Sequence, residues 1–408
     1  MAKKTLKALA ILSLLAFLNG TAMADNNATS TTTGNDNTSN ITQSGDGQTA
    51  DVTQNGDDNT SDVDQSNLDN TATVNQSQGA NDSDVNQSGV GNVATVDQDD
   101  QNESTVDQSG DDNIADVNQI GNPVAPENTQ NISTINQSGS GNSATVDQDD
   151  RNISNIDQSG DGNTANVSQI IAQGFDDNNS DVQQSGDDNV ANVSQTGHNN
   201  TSLVNQEGDL NDANVDQTGD NNDSVINQLA DENFADVTQS GIDNVSTVDQ
   251  DLRNTATVDQ SGERNSSDVN QLGGQYESRD NTASVTQSGD DNIATVNQDN
   301  GILPIGISVD NDATIDQSGD WNVATVSQDD FNTANVLQTG LGTAADPNTV
   351  TVTQIDDDDV ANAEQHGGEG NVITITQDQA CVVGGCGTFN NATAIQTGAF
   401  NTTTINQN

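Results

Sequence analysis

A seven-residue pattern, N-x-(A/S)-x-(V/I)-x-Q, recurs 31 times between Asn37 and Gln407. One clear copy is Asn92–Gln98, NVATVDQ. Its recurring residues fall at i, i+2, i+4 and i+6, which is the two-residue period of a β-strand that presents one face. An array of such strands at fixed spacing predicts rungs stacked along one axis. We therefore expect an all-β chain that folds as a β-solenoid.

The third position of the pattern distinguishes two kinds of strand, which alternate along the chain. In one kind this residue is always alanine, from Ala50 to Ala392, and in the other it is serine for eleven strands, from Ser39 to Ser267. Later strands of the second kind carry, in order, Ala294, Ala324, Val350, Ile373 and Thr403. The repeat is thus two strands, about 22 residues, and strands n and n+2 should be neighbours. Small residues here favour two facing parallel sheets about 10 Å apart over a three-sided rung. The prediction is two strands per rung and about 15.5 rungs.

The other repeated positions are predicted to hold the rungs together. Asn and Gln side chains both donate and accept, so identical amides one rung apart can form a continuous ladder. Val or Ile at the fifth position would stack into a thin dry core that no single rung could bury alone. The predicted self-assembly ladder includes Asn37, Gln43, Gln54, Asn59, Gln65, Asn92, Gln98, Asn113, Gln119, Asn142, Gln148, Asn390, Gln396, Asn401 and Gln407. The predicted core includes Ile41, Val52, Val63, Val74, Val96, Val117, Val146 and Ile405.

Composition alone would also fit a disordered chain, because the mean hydropathy is −0.72 and only 29% of residues are hydrophobic. A random polar chain, however, would not keep its phase through 31 strands. The connectors, such as Gln108–Asn113, QSGDDN, use residues that favour tight turns. All four prolines, Pro123, Pro126, Pro304 and Pro347, lie in longer insertions, which we expect to be loops. Because the repeat resumes in phase after each insertion, residues 37–408 are predicted to form a single solenoid.

Residues 1–24 carry a different signal. Three lysines precede a largely apolar run from Ala8 to Leu18, and Ala22–Ala24, AMA, provides an A-x-A cleavage site. This pattern is typical of a secretory signal peptide and is too short for a transmembrane anchor. We expect an exported chain with no membrane span, in which residues 25–36 form a short polar leader.

The chain is strongly acidic, with a formal net charge of −57. After residue 24 it contains four arginines and no lysine, against 64 Asp and Glu residues. A field of this sign argues against nucleic acid or an anionic membrane as a partner. The carboxylates either delay assembly until export or form a generic acidic surface suited to a salty habitat. Crowded carboxylates have raised pKa values, so acid, salt or divalent cations are predicted to shorten the lag before assembly.

No group of residues indicates catalysis, and we expect no enzyme activity. His198 and His366 each follow a Gln in a turn, with no nucleophile or metal-ligand spacing nearby. Asp-rich turns such as Gly186–Asn189 could bind calcium weakly, although the nonapeptide pattern of calcium-binding β-rolls is missing. No other cofactor is expected. For an exported chain, Cys381 and Cys386 favour a local disulfide over a metal site or a redox pair.

The alternation of an Asn-Ser strand with Q-x-G-x-x-N-x-A-x-V-x-Q resembles the curlin repeat of bacterial curli subunits. Gln137–Gln148, QSGSGNSATVDQ, fits this repeat closely, as does the turn Gln43–Gly47, and the resemblance covers residues 37–407. It implies the major subunit of a functional amyloid of a Gram-negative-type bacterium. Such a subunit is secreted through an outer-membrane pore, is nucleated at the cell surface by a nucleator subunit, and polymerises into an extracellular fibre that supports biofilm and adhesion. Familiar curlins have fewer repeats and a longer Gly-rich leader.

Two alternatives to the major subunit remain open. The first is a minor or nucleator subunit, which the drift at Asp359, Ala363 and Ala394 would fit, although these repeats gain no positive charge. The second is a monomeric solenoid, either a calcium-stabilised adhesin or an ice-binding protein. A flat Thr-x-Thr face would favour ice binding, and the outward positions instead mix Thr, Asp, Asn and Ser without a sustained array. Concentration-dependent fibre formation by the purified chain would separate the fibre subunit from the monomer.

Overall fold

The computed structural model describes residues 25–121, 130–171, 177–272, 280–298, 310–329, 331–355, 358–378 and 390–407. The predicted signal peptide, the two cysteines and the prolines at 123, 126 and 304 lie outside these residues, so the predictions made for them stay predictions. All regular structure in the described residues is β-strand. The same residues contain no helix that is long and apolar enough to cross a membrane. The chain divides into two compact units after His198.

The described residues of the first unit form fifteen strands in two parallel sheets. The odd-numbered sheet contains β1 (Asn27–Thr33), β3 (Thr49–Asp57), β5 (Thr71–Gly79), β7 (Val93–Asp99), β9 (Ile114–Ile120), β11 (Ser143–Asp149), β13 (Thr164–Ile170) and β15 (Val190–His198). The even-numbered sheet contains β2 (Thr38–Asp46), β4 (Thr60–Leu68), β6 (Asp82–Gln87), β8 (Glu103–Gln108), β10 (Ile132–Gln137), β12 (Ile153–Gln158) and β14 (Asn179–Gln184).

The described residues of the second unit form seventeen strands on the same plan. Its even-numbered sheet contains β16 (Thr201–Gln206), β18 (Asp223–Gln228), β20 (Val245–Gln250), β22 (Ser266–Gln271), β24 (Ile293–Gln298), β26 (Asn322–Gln328), β28 (Asn348–Gln354), β30 (Val372–Gln377) and β32 (Thr402–Gln407). Its odd-numbered sheet contains β17 (Asp212–Asp220), β19 (Phe234–Ile242), β21 (Thr255–Glu263), β23 (Thr282–Ser288), β25 (Asp312–Ser318), β27 (Thr333–Gln338), β29 (Val360–His366) and β31 (Asn391–Thr397). In both units we call the odd-numbered sheet the alanine sheet and the even-numbered sheet the serine sheet.

Within each unit, strand n pairs in parallel with strand n+2, and equal pattern positions lie side by side. Ala144 is beside Ala165, for example, and the Val and Gln positions of the same two strands also match. The register is also kept where the connection is long. The chain between β8 and β10 contains β9 and the insertion that follows it, yet Ser104 still lies beside Ser133. These pairings confirm the predicted β-solenoid with two strands per rung.

Strand β1 lies within residues 25–36, which the sequence analysis assigned to a polar leader. It pairs with β3, so that Ala28 lies beside Ala50. The pattern search missed this strand because Ser30 and Thr32 occupy the positions where Val and Gln usually stand. The described residues therefore contain 32 strands, one more than the pattern predicted.

The core is the column of inward-facing residues between the two sheets. Six of the predicted core residues, Val52, Val63, Val74, Val96, Val117 and Val146, are 0% exposed. Ile41 and Ile405 are only half-buried, because β2 and β32 each have a neighbouring strand on one side only in the described chain. Full burial of a side chain of this size contributes about 1.5–3 kcal/mol, so the core depends on each rung being covered by the next.

Candidate self-assembly site

Glutamine side chains form a hydrogen-bonded ladder in each sheet. Gln54 Nε2 donates to Gln76 Oε1 at 2.9 Å, and Gln76 Nε2 donates to Gln98 Oε1 at 2.9 Å. The same Gln54 Nε2 also donates to the backbone carbonyl of Thr38, at 2.8 Å, in the facing sheet. Each buried amide thus links two rungs of one sheet and also joins the two sheets.

The ladder has a direction. Within each unit, these bonds run from Nε2 of one rung to Oε1 of the next rung toward the C-terminus. The predicted ladder glutamines all take part in it: Gln43, Gln54, Gln65, Gln98, Gln119, Gln148, Gln396 and Gln407. The spacing along the chain does not matter to it, because the bond from Gln87 to Gln108 and the bond from Gln108 to Gln137 are both 2.8 Å long.

The asparagines form a second ladder, whose bonds differ from the simple amide-to-amide contacts expected from the sequence. Asn70 Oδ1 accepts the backbone N–H of Asn92 at 2.9 Å, and Asn92 Oδ1 accepts the backbone N–H of Asn113 at 2.9 Å. Asn92 Nδ2 donates to the turn carbonyl of Gly110 at 2.7 Å. In this ladder the acceptor points toward the C-terminus, opposite to the glutamine ladder. In some rungs, such as Asn102 and Asn131, the two amides also bond directly, at 2.9 Å.

The predicted asparagines all occupy this column. Asn37, Asn59, Asn92, Asn113 and Asn142 bond along it. In the last described rungs, the backbone N–H of Asn390 donates to Asp359 Oδ1 at 3.2 Å, and that of Asn401 donates to Asn371 Oδ1 at 3.1 Å. Asp359 therefore replaces the usual asparagine as an acceptor without interrupting the column.

Aspartates in the turns accept hydrogen bonds between rungs, which the sequence analysis did not recognise. Asp111 Oδ1 accepts the backbone N–H of Val90 at 2.9 Å, in the equivalent turn one rung earlier. Asp161 and Asp187 make the same contact, each at 2.8 Å. A charged acceptor strengthens such a bond. The recurrence of Asp three residues after the pattern Gln was the signal that could have identified these contacts.

Calcium binding by these turns stays a prediction. In the described parts of the chain, no three or more His, Cys, Asp or Glu side chains come together in a group that could hold a metal ion. His198 and His366, which the sequence analysis placed in turns, are instead the last residues of β15 and β29, and Thr339 Oγ1 lies 2.9 Å from His366 Nδ1.

A column of buried hydroxyl groups runs through the serine sheet. The Oγ atoms of ten serines are buried without a hydrogen-bond partner: Ser61, Ser83, Ser104, Ser133, Ser154, Ser180, Ser202, Ser224, Ser246 and Ser267. A buried hydroxyl without a partner costs about 1–3 kcal/mol. Sequence reasoning recognised the small size of these residues but not this cost.

The first rung shows which positions face each other across the core. Ser30 Oγ, at the fifth position of β1, donates to Ser39 Oγ, at the third position of β2, at 2.8 Å. The fifth position of an alanine-sheet strand thus faces the third position of the strand that follows it. Ser39 gains a partner only because Ser30 stands where other strands carry Val.

The same alignment explains two of the pairs that depart from the pattern in the last repeats. In β30 the third position is Ile373, and it faces the fifth position of β29, which is Ala363; both are 0% exposed. Thr403 of β32 likewise faces Ala394 of β31. In these two rungs a larger residue in the serine sheet faces Ala in place of the usual Val, which keeps the core volume there. Val350 of β28 instead faces Val336 of β27, with no such exchange.

Carboxylates on the outer faces crowd one another. Partial desolvation raises the pKa of Asp84 in β6, and the nearby charges of Asp62 and Asp82 raise it further. Partial desolvation also raises the pKa of Asp116 in β9, with a further contribution from Asp97. Asp84 and Asp116 therefore take up a proton more readily than an isolated carboxylate, first because they are partly desolvated and second because like charges lie nearby.

The terminal strands present open edges. The backbone N–H of Val372 donates to Asn401 O at 2.8 Å, so the N–H of the second pattern position points toward the following rung. By alternation, the N–H groups of Thr402 and Thr404 in β32 point away from β30. In the part of the chain that the structure describes, β32 pairs only with β30, and β2 pairs only with β4.

Comparison with known families gives four matches. Residues 34–66, 174–208, 208–241 and 310–340 match the family model of the curlin associated repeat. The first segment covers β2, β3 and most of β4, and the last covers β25 to β27, so a match takes in strands of both kinds. These matches confirm the resemblance inferred from the sequence. No curated protein sequence matches the chain.

Proposed function

Because the chain belongs to the curlin-repeat family, we propose that it is a structural subunit of an extracellular, curli-like amyloid fibre in which copies add head to tail. The observation that carries this proposal is the opposite direction of the two amide ladders. At the β32 end, the glutamine ladder finishes with the Gln407 amide N–H and the asparagine ladder with Asn401 Oδ1. At the β2 end, the free groups are Gln43 Oε1 and the backbone N–H of Asn37. The donors and acceptors at one tip therefore complement those at the other tip.

Backbone groups support the same arrangement. The outward N–H groups of Thr402 and Thr404 would meet carbonyls of β2 in a second copy, in the register that joins β30 to β32. Two β32 tips would place donor against donor in the glutamine ladder and acceptor against acceptor in the asparagine ladder, and two β2 tips would do the reverse. A contact between unlike tips does not close on itself, and it therefore yields a filament.

The two sheets would contribute unequally to the junction. In the serine sheet, β32 on β2 would stack Gln407 on Gln43 and Ile405 on Ile41, which continues both the ladder and the aliphatic column. In the alanine sheet, Gln396 of β31 would meet Thr32 of β1, and the ladder would stop there. The serine sheet would therefore set the register between copies.

A proline at Thr404 tests the head-to-tail contact. This residue's N–H points out of the β32 edge, so Thr404→Pro removes a donor from the tip without removing a ladder bond within the chain. The variant should stay folded, should elongate wild-type seeds poorly, and at substoichiometric amounts should terminate wild-type fibres. Fibre growth is followed by dye binding and electron microscopy. Thr404→Val, which keeps the N–H, should grow like the wild type.

Two results would contradict this proposal. One is a purified chain that stays monomeric at every concentration, which would favour the monomeric solenoid. The other is unimpaired growth of a folded Thr404→Pro variant, with β32 folded as judged by hydrogen exchange, which would place the growing contact elsewhere.

Export through an outer-membrane pore, nucleation by a second subunit, and support of biofilm and adhesion are part of the same proposal. They rest on the family and on the signal-peptide pattern of residues 1–24. Expression in a bacterium with an outer membrane, with and without curli secretion proteins, tests export by immunogold labelling of surface fibres. Trace amounts of the chain that seed a homologous subunit at the cell surface would instead favour the nucleator.

A further inference from the structure

One outer face of the second unit is free of charge at all of its strand positions. It consists of the outward-facing residues of β24, β26, β28, β30 and β32 in the serine sheet, which we call the threonine face. Its central column is an unbroken run of threonines in register: Thr295, Thr325, Thr351, Thr374 and Thr404. The column beside it, from Ile293 to Thr402, contains only β-branched residues.

This face corrects an expectation. The sequence analysis found no sustained threonine array, because it considered the outward positions of all strands together. The array is confined to alternate strands of one part of the chain, and only the pairing of strand n with strand n+2 places those threonines side by side. Charged residues resume just past the strand ends, at Asp329 and Asp378.

The surrounding surface makes this face exceptional. The same sheet in the first unit carries Asp62 and Asp84 side by side on its outer face. In the second unit, the alanine-sheet strands β25 and β29 carry Asp312, Asp316 and Glu364 outward. Two copies of a chain with a net charge of −57 would repel each other across those faces. They can approach closely only where the charge is missing.

We infer that the threonine face is a lateral contact, at which the face of one copy packs on the same face of a second copy in a neighbouring fibre. The inference rests on the proposed fibre. Uncharged sheets rich in β-branched residues pack face to face at about 10 Å, and their side chains interdigitate into a dry interface. The threonine hydroxyls can bond across such an interface while their methyl groups pack.

The size of the threonine face favours contact between fibres over contact between soluble copies. Five strands about 4.8 Å apart, each about 20 Å long, give a face of roughly 480 Å² per copy. A pair would bury about 1,000 Å² in total, which is at the lower limit for a specific interface. One pair of soluble copies is therefore weakly held. In fibres the contact repeats in every subunit, and the repeated contacts act together.

Paired charge substitutions test this contact in the full chain. Thr325→Asp with Thr374→Asp puts two carboxylates on the threonine face, two strands apart. Asn335→Asp with Thr393→Asp adds the same charge to the alanine sheet. Growth is measured by dye binding, and lateral association by counting single and bundled fibres in electron micrographs. The wild type and the alanine-sheet variant should form bundles, whereas the threonine-face variant should grow at a similar rate with at least a several-fold lower fraction of bundled fibres.

The outcomes separate the two proposals. Bundling that survives the threonine-face substitutions, or is lost equally in both variants, would overturn the lateral contact while leaving the fibre intact. Should the double variant not assemble, the single Thr374→Asp change is compared in the same way. If the wild-type chain itself forms no fibres, the fibre proposal fails and the lateral contact fails with it. If the soluble wild type depresses the freezing point through this face and its fibres do not bundle, the occupant is ice, and the lateral contact is wrong.

Discussion

The early and late strands of the serine sheet are built in opposite ways. From β4 to β22 the sheet buries serine hydroxyls, and its outer face carries frequent carboxylates, such as Asp62 and Asp84. From β24 to β30 it buries Ala, Val and Ile, and its outer face carries threonines and other uncharged residues. The strand register is the same in both parts. The register is therefore constant in this solenoid, whereas the polarity of each face is free to change.

The largest effect should come from emptying the aliphatic part of the core. Ile373→Ala leaves a cavity between β30 and β29, and such changes cost about 2–5 kcal/mol of unfolding free energy. Urea unfolding of the soluble chain measures this loss. Ala363→Val in the same chain should recover part of it, because the two residues face each other. Strictly additive effects of the two substitutions on the free energy of unfolding would show that the two residues do not face each other.

A smaller loss is expected from transplanting the late arrangement into an early rung. Ser133→Ile should overpack against Val117 in β9 and cost about 1–3 kcal/mol. Adding Val117→Ala recreates the late pairing of large with small and should restore most of the stability. Thermal unfolding of the single and double variants makes the comparison. A double variant no better than the single one would contradict the facing alignment.

Replacing one orphaned hydroxyl should have the opposite sign. Ser133→Ala removes a buried hydroxyl without a partner and should stabilise the chain by about 1 kcal/mol. The matched control is Ser39→Ala in β2, which loses its bond to Ser30 and should destabilise by about 1 kcal/mol. Both are measured by urea unfolding. Equal signs for the two substitutions would mean that the serine column is bonded after all.

The smallest effect should be a response to pH restricted to the acidic strands. The folded-state pKa of Asp84 is raised above its usual 3.8, so the folded chain binds this proton more tightly than the unfolded chain. Stability should therefore rise as the pH falls through the raised pKa, and this gain should be complete once the pH is below 3.8. Hydrogen exchange between pH 7 and pH 4, corrected for intrinsic rates, should show increased protection in β4–β8 and little change in β28–β30. Asp84→Asn should reduce this gain, whereas Asn86→Gln should preserve it.

The pattern alone predicted most of the fold, because a two-residue period with a small residue at one position admits few arrangements. It predicted the strand pairing, the parallel sheets and the burial of residues such as Val96. Strand β1 was missed because Ser30 and Thr32 do not fit the pattern. Its pairing with β3 stabilises it as a strand all the same. Pairing with a neighbouring strand can stabilise a strand whose own sequence does not predict it.

The parts of the site that escaped the sequence all depend on contacts between rungs. The direction of the glutamine ladder depends on how amides turn in the fold, and composition does not encode it. The turn contact of Asp111 depends on the backbone of an earlier rung. The compensation of Ile373 by Ala363 became visible only once Ser30 and Ser39 had shown which positions face each other.

The glutamine ladder also spans very different lengths of chain without any change in its geometry. The bond from Gln87 bridges 21 residues and that from Gln108 bridges 29, at the same 2.8 Å. Extra sequence can thus be added between strands while the coil beneath stays unaltered. In a filament of such chains, any added segment would recur once per molecule at a fixed pitch, which makes this solenoid a scaffold for ordered display.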